Sequence, residues 1–100
     1  MFDDIKKAVE AVHAEDAVLL DVRTHDEHKQ ESAHKAVHID VFDIEQGKDP
    51  HVNKDTPILI HCRSGGRADR ACSILTARGY TKVQNVGGLT HWLEAGGKTS

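Results

Sequence analysis

The chain has 100 residues, 38% of them hydrophobic and 29% charged, with a formal net charge of −3 at neutral pH. That length supports one compact core and not two, so residues 1–100 are read as a single domain. The mild acidity excludes nucleic acid as the main partner, because a phosphate-binding surface carries a basic excess. No apolar run approaches the roughly 20 residues that cross a bilayer, so no membrane partner is expected. Met1 to Lys7 hold no apolar stretch of signal-peptide length, so the expected compartment is the cytoplasm, or the periplasm if an export signal has been removed.

In chain order, Ile5, Ala8, Val9 and Val12 recur at helical spacing behind Asp3, which is placed as the cap. Ala17 to Val22 is an apolar run ending in polar residues, the pattern of a buried strand. Asp26 to Glu31 is charged and reads as a short exposed helix. Val37, Ile39 and Val41 alternate with His38 and Asp40, the period of a half-buried strand. Phe42 to Asp55 is polar, with Gly47 and Pro50, and is expected to be a loop with at most one helical turn. A strand over Ile58 to His61 then leads through a loop into a helix from about Arg67 to Arg78, which Gly79 is placed to stop. Val83 to Val86 reads as another strand, Gly87-Gly88 as a turn, and Leu89, Trp92 and Leu93 as the inner face of a last short helix. This alternation predicts an α/β fold with a mainly parallel sheet of about five strands and helices on both faces.

Ligands of such sheets bind beyond the carboxyl ends of the strands, and Cys62 falls at one of those ends. It opens the run Cys62-Arg63-Ser64-Gly65-Gly66-Arg67. Gly65 and Gly66 give the loop backbone freedom that a residue with a Cβ lacks. Backbone N–H groups turned inward at the start of the following helix form an anion cradle, and Arg63 and Arg67 add two positive charges. Each effect favours a thiolate, so the thiol is expected to titrate well below the ~8.5 of a free cysteine and to act as a nucleophile.

The other chemistry-bearing residues have plainer readings. Two cysteines make no disulfide framework. Cys72 shares a helical face with Ala68, Ala71 and Leu75 and is read as core filling, with a resolving thiol for an oxidised Cys62 as the alternative. Asp21 and Arg23 are assigned structural roles, with Arg23 paired to Glu27, and Trp92 and Tyr80 are assigned to the core. The eight histidines are read as scattered surface residues. His25/His28 and His34/His38 have ligand-like spacing, but the second pair straddles a strand start, and neither a metal nor a cofactor is expected. His61 is excluded as a general base for Cys62, because strand neighbours point to opposite faces.

From Ala17 to Gly96 the chain resembles the single-domain rhodanese-like sulfurtransferases. The resemblance is carried by Leu19-Leu20-Asp21-Val22-Arg23 with Glu27, by Ala36-Val37-His38-Ile39, and by the six-residue loop from Cys62 to Arg67. It continues through Gly79-Tyr80 with Val83, and through Val86-Gly87-Gly88-Leu89 with Trp92. It implies a rhodanese-like fold and transfer of a sulfane sulfur, from thiosulfate or a similar small anionic donor, through a persulfide on Cys62. The acceptor is then a thiol or cyanide-like nucleophile, or a protein thiol. Arg63, Ser64, Gly65, Gly66 and Arg67 become the substrate-binding loop. The alternative within the family is a persulfide carrier or regulatory binding module with little small-molecule turnover. One segment departs from the pattern: Glu31-Ser32-Ala33-His34-Lys35 stands where the family usually carries Gly-His-Ile-Pro-Gly, and substrate preference is what this puts in question. Cysteine phosphatases and arsenate reductases place five residues between cysteine and arginine. Four separate Cys62 from Arg67, a smaller bowl that is cramped for a tetrahedral oxyanion.

Overall fold

The computed structural model describes residues 2–100. Asp4, not Asp3, caps the first helix, α1 (Ile5–His13), its side chain accepting from the Lys6 N–H. Strand β1 (Val18–Asp21) and helix α2 (His25–Gln30) follow. Thr24 caps α2 through a capping box with Glu27. The alternating run ends early: β2 is Ala36–His38, and Val41 opens helix α3 (Val41–Glu45) because the Asp40 carboxylate caps it. Then come β3 (Ile58–Cys62), α4 (Gly66–Ala77), β4 (Val83–Gly88) and α5 (Leu89–Glu94).

The four strands form one parallel sheet in the order β2-β1-β3-β4. The sheet has one strand fewer than expected. Beyond it, the described residues add only an isolated antiparallel bridge between Ala33 and Thr99. Central strands buried on both faces need continuous apolar sequence, which Leu19-Leu20 and Ile58-Leu59-Ile60 supply with no exposure. Alternation divides them between two cores. Leu19 and Leu59 pack with Ala8, Val9 and Val12 of α1 and with Trp92 of α5. Leu20, Ile58 and Ile60 pack with Ile44 of α3 and with Ala68, Ala71 and Leu75 of α4, and Cys62 joins that second group. Helices therefore cover both faces, as the alternating elements predicted.

One irregularity shapes the carboxyl edge of the sheet, and another feature lies in the segment that leads into β2. The β3–β4 register shifts between Ile60 and His61, so that Ile60 faces Asn85 while His61 faces Gly87 and Cys62 faces Gly88. Gly87-Gly88 is thus the end of β4 and not a free turn. Its position beside the last residues of β3 brings the second glycine against the Cys62 loop. The departing segment Glu31–Lys35 is also braced: the His34 N–H donates to the Lys98 carbonyl at 2.6 Å and the Ser100 N–H to the Ser32 carbonyl at 2.9 Å. Lys35 takes the left-handed backbone (φ +68°) at the position where the family pattern has its second glycine.

Candidate active site around Cys62

Cys62 ends β3 with 1% of its surface exposed. Its Sγ accepts a hydrogen bond from the Gly65 N–H at 2.9 Å. This is one cradle contact where the sequence led us to expect several. Gly65 caps α4 in the left-handed conformation (φ +102°), which a residue with a Cβ rarely adopts. Gly66 is an ordinary first helical residue with open space where a Cβ would stand, so only the first of the two glycines is required by its backbone. Asn85 is a loop anchor that sequence reasoning missed. Its Nδ2 donates to the Gly65 carbonyl at 2.9 Å, and its Oδ1 accepts from the Gly87 N–H at 2.8 Å. A carboxamide two residues before the Gly87-Gly88 pair was the available signal.

Gly88 sets the other wall. A Cβ there would lie 2.3 Å from the Arg63 carbonyl oxygen and 3.1 Å from its carbon, so only glycine lets β4 lie this close to the loop. Its φ of −92° is ordinary, so the constraint is purely steric. Gly88→Ala is expected to displace the Arg63 backbone and cost about 1–3 kcal/mol through overpacking, with sulfur transfer falling in step. Gly66→Ala serves as the stability control, and equal melting temperatures for the two variants would disprove the close approach.

The two loop arginines separate in role. Arg67 makes a two-pronged pair with Glu27, Nη1 to Oε1 at 2.7 Å and Nη2 to Oε2 at 3.0 Å. That pair ties α4 to α2. The Arg67 guanidinium, with smaller help from Thr24, holds the Glu27 carboxyl down at about 2. Arg67 remains within electrostatic reach of Cys62, but its fork is occupied. Arg63 is exposed and forms no ion pair among the described residues. It is the cation of the loop open to an incoming anion. Ser64 is exposed as well.

Below the loop lies a buried polar group. Arg23 pairs with Asp21 and not with Glu27: Nε donates to Oδ1 at 2.9 Å and Nη2 to Oδ2 at 2.8 Å. The backbone N–H of Arg23 also reaches Oδ1 at 3.0 Å, and Nη2 donates to the Glu31 carbonyl at 2.6 Å. Burial pushes the Asp21 carboxyl up, yet the bonds from Arg23 and His28 outweigh it and hold it at about 2. His28 Nδ1 lies 2.8 Å from Asp21 Oδ2. Its ring stacks on His38 at 4.6 Å, and His38 Nε2 lies 2.8 Å from the Arg23 carbonyl. These histidines are a packed cluster over Asp21, not scattered surface residues. His61 is fully buried; its Nδ1 lies 3.4 Å from the Cys62 carbonyl oxygen, and its Nε2, 3.9 Å from Asp21 Oδ2, has no hydrogen-bond partner among the described residues. Burial pushes its pKa down, against the opposing pull of Asp21.

Cys72 is half-buried against the second core. Burial, with Asp69 adding to it, pushes its thiol up to about 11. Cys72 is therefore a thiol at neutral pH. Cys72→Ser is expected to leave sulfur-transfer turnover within about twofold of wild type, because only thiolates exchange sulfur readily. A large kinetic loss in a folded variant would restore the resolving-thiol reading.

Beside the loop, Arg23, Glu27, Gln30, Glu31, Arg63, Leu89 and Thr90 line a cleft of about 280 Å³. Cys62 is not on its wall, but its chain neighbour Arg63 is, and so is Leu89, which follows Gly88. Among the described residues no group of histidine, cysteine and carboxylate side chains is arranged to hold a metal, and no helix is long and apolar enough to cross a membrane.

A parallel α/β sheet that ends a central strand on a cysteine, with the next loop wrapping its sulfur into a helix N-terminus, defines a class of cysteine-loop α/β domains. Within that class the Rhodanese-like domain family model matches residues 4–95, and the chain belongs to that family. It is 35% identical over 83 residues to a sulfurtransferase of Allochromatium vinosum, covering 82% of this chain and 77% of the relative. It is 31% identical over 71 residues to the thiosulfate sulfurtransferase PspE of Escherichia coli, covering 70% and 68%. The solved structure of the human single-domain sulfurtransferase TSTD1 superposes with a TM-score of 0.78 over 88% of this chain and 90% of that one. At 22% identity that last likeness is one of fold.

Proposed function

We propose that the protein is a sulfurtransferase that takes a sulfane sulfur from thiosulfate, carries it as a persulfide on Cys62, and passes it to a thiophilic acceptor. One observation carries the reading: the Cys62 sulfur is held by the Gly65 N–H at the mouth of α4, next in the chain to Arg63, which has no ion pair among the described residues. A preorganised donor needs no rearrangement as charge moves between sulfur atoms. The kinship with a sulfurtransferase and a thiosulfate sulfurtransferase supports both the reaction and the donor.

The steps balance. The Cys62 thiolate attacks the outer sulfur of thiosulfate, a Cys62–sulfur bond forms, and the sulfur–sulfur bond of the donor breaks with its electron pair leaving on sulfite. The acceptor then attacks the outer sulfur of the persulfide, and the pair returns to Cys62 Sγ. This is covalent catalysis through an enzyme-bound intermediate. Arg63 meets the doubly charged donor as it approaches.

Intact mass after thiosulfate treatment tests the reading. A gain of about 32 Da, one sulfur atom added to a reactive cysteine, is expected and should be lost on adding cyanide. No gain at millimolar thiosulfate would overturn thiosulfate as the donor. A gain discharged only by a protein thiol would favour the carrier reading.

A further inference from the structure

The cleft beside the loop holds one charge of each sign without an ion-pair partner among the described residues. Arg23 is engaged by Asp21 and Glu27 by Arg67, which removes two of the four charged groups on its wall. The remaining two, the Arg63 guanidinium and the Glu31 carboxylate, are exposed and form no ion pair or side-chain hydrogen bond among the described residues. The Gln30 amide and Thr90 hydroxyl stand with them, and Leu89 supplies the apolar part of the wall. A site built only for thiosulfate, sulfite or cyanide would need the cation alone.

We propose that this cleft receives the acceptor, and that the acceptor is a small zwitterionic thiol, with its carboxylate on Arg63 and its ammonium on Glu31. This rests on the sulfurtransferase reading above and adds the acceptor's chemical class to it. The volume of about 280 Å³ suits an amino-acid-sized to tripeptide-sized molecule, at the lower edge of ordinary ligand pockets. Glu31 is held in place without its carboxylate being used: its backbone carbonyl accepts from Arg23 Nη2 at 2.6 Å, and Arg23 is in turn locked by buried Asp21. The next residues are braced by the C-terminal strip at Lys98 and Ser100. Glu31 also opens the segment that departs from the family pattern, where a glycine would offer no charge. The site is close to the reacting sulfur, because Arg63 follows Cys62, and Leu89 on the cleft wall follows Gly88, which lies directly against the Arg63 carbonyl. In the transfer, the acceptor thiolate forms a bond to the outer persulfide sulfur. The bond from that sulfur to Cys62 breaks with its electron pair on Sγ, and the acceptor departs as its own persulfide.

The test begins with protein loaded by thiosulfate and checked by mass, followed by single-turnover discharge. The acceptors are L-cysteine, cysteamine, 3-mercaptopropionate and 2-mercaptoethanol. Each rate is divided by that of 2-mercaptoethanol in the same protein and then compared with wild type, so intrinsic thiol reactivity cancels. Glu31→Gln keeps the backbone carbonyl. It is expected to lower the cysteine and cysteamine ratios about fivefold, the scale of one exposed ion pair. Arg63→Gln should instead lower the cysteine and 3-mercaptopropionate ratios by about the same factor. Ratios that neither variant moves, or that both variants move alike for cysteamine and 3-mercaptopropionate, would overturn the assignment while leaving the sulfurtransferase intact. Failure of wild type to gain sulfur in the loading step would instead overturn the underlying reading, and the acceptor site with it.

Discussion

Replacing Cys62 by serine is expected to abolish sulfur uptake from thiosulfate while leaving a folded domain. A serine hydroxyl is a far poorer nucleophile toward sulfur than a thiolate, and its conjugate base is inaccessible at neutral pH. Transfer should fall by about a thousandfold or more, the scale seen when a covalent nucleophile is removed. The structural change is small. The site is almost wholly buried, but the Gly65 N–H that reaches Sγ can donate to the serine oxygen. The expected stability loss is about 1–2 kcal/mol, the range for burying a hydroxyl with one partner. A thermal melt and an intact-mass measurement on the same sample separate the two effects. A folded variant that still gains sulfur would remove Cys62 from the mechanism.

What could be read from the sequence was what local pattern determines. Leu19-Leu20 and Ile58-Leu59-Ile60 announce buried parallel strands because both faces of those strands are covered. Cys62 was placed correctly at the carboxyl edge because the strand before it and the helix after it each have their own periodicity. Gly79 (φ +99°) stops α4 in the expected left-handed turn. The side-chain partners that local pattern left unassigned are decided by how the chain folds back on itself. Arg67 is drawn to Glu27, 40 residues away, where proximity in sequence had aimed it at the sulfur. Arg23 closes on Asp21, two residues back, because the bend after β1 turns its guanidinium toward that strand end. Gly88 was read as part of a turn because a Gly-Gly pair usually is one, yet its role follows from the β4 register against Cys62. Sequence period gives a strand its faces, but a shifted register decides which backbone it touches. The histidines were misjudged for the same reason: His28 and His38 stack because β1 and β2 pair in parallel, bringing Asp21 beside His38.

Asp21 is the residue on which both the site and the fold lean, and its removal is expected to have the largest effect on stability. The carboxylate has no exposed surface and accepts from the Arg23 side chain twice and from its backbone once. Asp21→Ala leaves a nearly buried guanidinium without its counter-charge, a change that costs about 3–5 kcal/mol. For a domain of this size that lowers the melting temperature by about 12 °C or more. The same group sets the acid limit. Its folded pKa of about 2 lies below the ordinary 3.8. The bound proton therefore favours the unfolded chain, and the stabilisation is complete above pH 4 and lost as pH falls toward 2. Protonation should remove about 2 kcal/mol, less than the alanine change, because a protonated carboxyl still fills the space and keeps some of its hydrogen bonds. Glu27, also held at about 2 by Arg67, titrates in the same window and steepens the loss. Urea melts of wild type and Asp21→Asn between pH 2 and 6 separate the terms. The variant should be less stable at pH 6, and its pH slope between 4 and 2 should flatten. Parallel slopes for the two proteins would place the acid sensitivity elsewhere. An Asp21→Ala melting temperature within about 4 °C of wild type, less than 1 kcal/mol, would mean that Arg23 finds another partner. The Glu31 carbonyl it already touches is the first place to look.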